Sequence, residues 1–103
     1  MIYNQTVNFL NTPCQLGFGR YTNGRLAIQL YDTNGEPFAT ATINVPAMPL
    51  AQNQVLIKDY DENEGLLAAL ESAGVVRTTG VRCRLGYVQA DVCQLLIPAP
   101  AIH

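Results

Sequence analysis

Apolar and polar residues alternate with a period of two on both sides of Asn34-Gly35. That dipeptide is a strong hairpin-turn signal, because a type I′ turn needs φ > 0 at both central positions. Taken as a two-residue loop, it predicts one β-hairpin over residues 23–45. Leu30 then faces Ala39, Ile28 faces Ala41 and Leu26 faces Ile43, so one face is wholly apolar. The other face carries Tyr31 opposite Phe38, Gln29 opposite Thr40 and Ala27 opposite Thr42. A slip of one residue would scramble this sorting, so the pattern specifies its own register.

Further strands are expected on both sides of the hairpin. Ile2, Val7 and Phe9 alternate within residues 1–10 and suit an edge strand, interrupted at Thr12-Pro13. Residues 17–21 read as a short strand with close backbone approach at its glycines, and Asn23-Gly24 turns it into the hairpin. Pro46 and Pro49 end the hairpin's second arm, since proline cannot donate to a ladder. Residues 54–57 form another short apolar strand. One helix follows, over about residues 63–73: Leu66, Leu67, Leu70 and Ala73 recur at helical spacing and should pack on the hairpin's apolar face. Asp61 or Asn63 is expected to cap it, and Gly74 to close it in the left-handed conformation. Residues 75–78, 81–85 and 87–97 supply the last strands. The apolar phase shifts along residues 88–97, which calls for a bulge near Val92 or for burial on both faces. The expected architecture is therefore α+β: a mostly antiparallel sheet of about five or six strands with one helix packed on one face, in a single domain over residues 1–97. Residues 98–103 form an extended tail.

Composition narrows the function classes. Hydrophobic residues make up 49% of the 103 positions and charged residues only 14%, against about 25% charged in an average domain. Such a chain fills a core easily and has few charges to solvate its surface, so a covered or self-associating surface is expected, a homodimer among the options. Net charge is −2 and Lys58 is the only lysine. No basic tract favours nucleic acid. No run approaches the roughly 18 apolar residues of a membrane helix, and the N-terminus does not read as a secretion signal. Three cysteines at 14, 83 and 93 fit reduced thiols in a cytoplasmic protein.

Candidate chemistry is thin. Asp59-x-Asp61-x-Asn63 begins like a calcium loop, but the required glycine and glutamate each fall one residue late. Gly17-x-Gly19 lacks the following helix that a phosphate cradle needs. The only histidine is His103 and the only serine is Ser72, so nucleophilic catalysis has little material. No close pair of cysteines suits zinc. The chain is read as no enzyme, with neither metal nor cofactor. Two charged patches remain. Five of the eight acidic residues lie between Asp59 and Glu71, while Arg82 and Arg84 alternate on one strand with Arg77 nearby.

The run Asn23-Gly24-Arg25-Leu26-Ala27-Ile28-Gln29-Leu30, followed by Glu36 to Thr42, resembles a family of small uncharacterised domains carried by bacterial phages, plasmids and integrative elements. Lys58-Asp59-Tyr60, Glu62 to Gly65 and Val92-Cys93-x-Leu95 extend the resemblance, which covers about residues 20 to 97. Families of this kind sit beside antirestriction and other counter-defence genes. The resemblance implies an inhibitor of a host defence protein or ribonucleoprotein complex, of anti-CRISPR or antirestriction type, acting in the bacterial cytoplasm. Asp59, Asp61, Glu62 and Glu64 would then enter an arginine-lined channel of the partner. Arg82 and Arg84 form a second contact patch, and Tyr31 with Phe38 an aromatic anchor. The alternatives are a sponge for a nucleotide signal, held by Arg20, Arg25, Arg82 and Arg84, and a structural accessory protein of the element.

Overall fold

A computed structural model describes residues 2–98, with side chains from residue 5 onward. The expected tail at 98–103, His103 included, lies outside the described residues except for Pro98. The fold is α+β. Strands β1 (Ile2–Phe9), β2 (Thr12–Arg20), β3 (Leu26–Tyr31) and β4 (Pro37–Thr40) form an antiparallel meander in that order. Strands β5 (Gln54–Ile57), β6 (Val76–Leu85) and β7 (Val88–Leu95) form a second antiparallel sheet with β7 in the centre. Between β5 and β6 lie a 3-10 turn, Asp61–Asn63, and the helix α1, Leu66–Ser72.

The hairpin register is as expected at its centre, with Leu30 opposite Ala39 and Gln29 opposite Thr40. Its loop is different. Asp32 N–H donates to Glu36 O and Gly35 N–H to Asp32 O, at 2.9 and 3.0 Å. This is a type I turn followed by a bulge, with positive φ at Gly35 and not at Asn34. Asp32 Oδ1 accepts the N–H groups of Asn34 and Glu36, which holds the type I form. The extra loop residue moves Tyr31 opposite Pro37, so Phe38 is not its partner, and a compensating irregularity restores the register at Leu30. The Asn23-Gly24 turn repeats this hydrogen-bond pattern. Positive φ at both central residues does occur, at Leu10-Asn11 between β1 and β2. There Pro13 does not interrupt the sheet. It pairs with Asn8, one step beyond the bonded pair Phe9–Thr12. Alternation turns its nitrogen away from β1 and no ladder bond is lost.

The hairpin's second arm departs after Ala41. Ala41 N–H still bonds Ile28 O at 2.9 Å, but Ala41 O accepts Lys58 N–H at 2.9 Å and Ile43 N–H donates to Leu56 O at 3.1 Å. Ile43 therefore faces β5, not Leu26. This crossover, with a bridge between Thr42 and Ile57, joins the two sheets edge to edge.

A main core forms between the sheets and the helix. It includes Val7, Leu16, Ile28, Leu30, Ala41, Val55, Ile57, Leu66, Leu70, Cys93 and Leu95. Leu66, Leu67 and Leu70 of α1, and Ala73 just after it, all face it, as their spacing predicts. The helix packs against β1 and β6, and Gln5 Nε2 donates to Ala73 O. A smaller cluster on the other side of β7 holds Leu56, Cys83, Ala90 and Val92 beneath Ile43, Val45, Met48 and Leu50. So β7 is buried on both faces, and the bulge lies on β6 opposite Val92.

The helix starts later than expected. Gly65, at φ 92°, separates it from the 3-10 turn, and neither Asp61 nor Asn63 caps it. Asp59 Oδ1 accepts Leu67 N–H at 2.9 Å and does that work from upstream. At the other end the bonds Gly74 N–H to Glu71 O and Val75 N–H to Leu70 O close the expected left-handed cap.

Candidate partner-binding surface

Strand β4 and the 3-10 turn border an open groove of about 510 Å³. Phe38, Thr40 and Thr42 line one side, with Lys58, Glu62 and Asn63 on the other. Asn63 fixes the two sides together. It is 1% exposed and its Nδ2 donates to Thr40 O at 2.7 Å. Gln29 stiffens the floor, donating to Ala39 O and accepting from Thr40 Oγ1. Phe38 sits edge-on against Phe9, ring centroids 6.3 Å apart, and stays 37% exposed. It is anchored from behind and open in front.

The charges of the groove are set. Lys58 Nζ bonds Glu62 Oε1 and lies 5.4 Å from the Tyr60 ring centre. That hydrogen bond, reinforced by the charges of Glu62, Tyr60 and Asp61, raises the Lys58 ammonium above its ordinary range. The same bond holds the Glu62 carboxyl below its usual value. The pair is solvent-exposed and adds little to stability. Asp61, held at φ 54°, and Glu64 are exposed beside the groove. Asp59 is not a free surface group, because its carboxylate is committed to α1.

The other expected contact residues lie elsewhere. Tyr31 packs over Gly17 on the outer face of the first sheet. There, with Tyr21, it borders a shallow depression of about 300 Å³ that shares only Gln29 and Thr40 with the groove. Tyr31 and Phe38 therefore do not form one anchor. Arg82 and Arg84 project from β6 in the second sheet. Arg82 Nε bonds the buried Asp91 carboxylate at 3.1 Å. Arg84 is exposed and has no hydrogen bond or ion pair among the described residues.

The four arginines of the nucleotide reading are not brought together. Arg20 Nη1 donates to Gly24 O at 3.0 Å. Arg25 donates to Val45 O at 2.7 Å and to Met48 O, tying the 45–48 segment down. Those two line a separate cleft of about 310 Å³ that Arg82 and Arg84 do not reach. The three cysteines are buried and unbridged. Burial, then the charges of Asp91, Glu71 and Asp59, pushes the Cys93 thiol up to about 12. Burial and Asp32 also raise Cys14. Both stay protonated at neutral pH and are poor nucleophiles. No three His, Cys, Asp or Glu side chains among the described residues are placed to hold a metal.

The chain matches no protein-family model, no curated protein and no solved structure. No helix among the described residues is long and apolar enough to cross a membrane. The pairing of Gln29 with Thr40 follows the expected hairpin register, and the i,i+4 spacing of Lys58 and Glu62 was a readable signal. The bonds of Asn63 and Thr42 were not readable, because each is a single polar residue whose partner is distant in the chain.

Proposed function

We propose that this protein is a non-catalytic binding protein of a mobile element, and that it inhibits a bacterial host defence complex by covering part of its surface. One observation carries the reading: Phe38 and the Lys58–Glu62 pair meet at one open groove pinned by Asn63, with the exposed Asp61 and Glu64 next to it in the chain. A fixed aromatic beside solvated charges is the usual make-up of an interface anchor and its rim. The exposed carboxylates of Asp61 and Glu64 next to the groove suit a basic surface on the partner, such as one that binds nucleic acid. The choice of a defence complex comes from the sequence resemblance around residues 23–42 and 58–65.

Affinity capture from a defence-positive host tests this. The full chain should retain a defence protein or ribonucleoprotein. Phe38→Ala should weaken capture about tenfold or more, as truncating an interface anchor does. Asp61→Lys with Glu64→Lys should weaken it in a salt-dependent way. Asp59 is left intact, because changing it would disturb α1. Equal capture by both variants at unchanged thermal stability would remove the groove as the contact.

A further inference from the structure

Strand β6 is the outer strand of the second sheet, and it carries Arg77, Arg82 and Arg84, half of the chain's six cationic side chains. Its first half is dressed. Glu71 Oε2 accepts Thr78 N–H at 3.3 Å, and residues 79–81 bulge out, held by Thr79 Oγ1 on Val92 O at 2.7 Å. Beyond the bulge the ladder resumes, from Arg82 opposite Asp91 to Leu85 opposite Val88. Only Gly86 and Tyr87 separate the last pair, so Leu85 and Val88 exchange both their hydrogen bonds. Antiparallel pairs alternate, so Cys83 also bonds β7. Arg82 and Arg84 then turn their N–H and C=O groups away from β7. No partner meets these backbone groups among the described residues.

The side chains agree with the backbone. Residues two apart on a strand share a face, so both guanidinium groups stand on one side while Cys83 goes to the core. The Arg82 side chain is 64% exposed with only its Nε on Asp91. An arriving strand therefore meets four outward main-chain groups and two cations in register. A second copy presenting the same edge would set arginine against arginine, which is unfavourable. Aspartate or glutamate at every second position would give cross-strand ion pairs instead.

We infer that β6 takes up an acidic extended segment of a partner protein as an added strand along Arg82–Leu85. This does not depend on the β4 groove having a partner. The test is amide NMR on the full chain with a blocked Glu-Val-Glu-Val-Glu peptide, and Lys-Val-Lys-Val-Lys as the control. The acidic peptide should shift and protect the amides of Arg82 and Arg84, leave Cys83 unprotected further, and lose affinity as salt is added. Arg84→Pro removes an outward N–H without touching the β6–β7 ladder. It should weaken the acidic peptide at least about fivefold, in line with a lost hydrogen bond and a lost charge pair. Arg84→Glu keeps the N–H and should reverse the preference between the two peptides. Equal binding of both peptides, shifts confined to other residues, or no binding would overturn the inference. So would a single-stranded oligonucleotide that competes through the arginine side chains, or self-association of the chain through this edge.

Discussion

Adding one methyl group at position 17 would set a carbon 2.3 Å from Cε2 of Tyr31. The Cε2 edge of the Tyr31 ring fills the space beside the backbone there, so Gly17→Ala must push it aside. The expected cost is about 1–2 kcal/mol, typical of overpacking, read as a shift in the urea midpoint. In a Tyr31→Ala background the same change should cost much less, and that difference measures the contact. Cys93 gives a second outcome. Its thiol stays protonated up to about 12 when folded, against an ordinary value of 9.0. Above pH 9 the unfolded chain gives up this proton and the folded chain keeps it, so stability should fall by about 1.4 kcal/mol per pH unit. Cys93→Val should remove that part of the alkaline slope in denaturant titrations. The close approach at Gly17 was legible in the sequence. The ring that causes it was not, because the loop bulge that aims Tyr31 depends on how Asp32 bonds its own backbone.

At the level of elements, α1 has only seven residues, too few to hold alone in water. Its stability comes from Leu66 and Leu70 in the core and from the Asp59 carboxylate on Leu67 N–H. Asp59→Ala should destabilise the fold by about 1 kcal/mol, as loss of a helix cap does, and Asp59→Asn, which keeps an acceptor, should recover part of it. Thermal melts of the two variants decide. The helix and its apolar stripe were readable because their spacing is local. Its cap was misplaced because the true acceptor lies outside the helix, behind a 3-10 turn that sequence periodicity does not mark. Both Asn-Gly turns were found at the right places, and at Asn34-Gly35 the expected two-residue geometry was wrong. The one turn with positive φ at both central residues among the described residues, Leu10-Asn11, carries no glycine signal.

Across the whole molecule, the crossover between the two sheets is pinned at Thr42. Its Oγ1 accepts Ile28 N–H at 3.1 Å and lies 2.9 Å from the Tyr21 hydroxyl, while its backbone bridges to Ile57. Thr42→Val keeps the shape and strands a buried donor, so it should cost about 1–3 kcal/mol. Thr42→Ser should restore most of that in the same urea titration. The two-sheet arrangement was not legible because alternation continues unbroken through Ile43, and only the competition between β3 and β5 for that segment decides where it pairs. The candidate surface was half legible for a related reason. Composition located the charges, but chain distance hid which of them meet. Arg25 holds Val45 and Met48 by their carbonyl oxygens, atoms that every amino acid possesses. The stretch thus fastened over Leu56 and Val92 can change its exposed residues, Pro46 and Ala47, without loosening the clasp. It is a natural place to graft a foreign recognition loop.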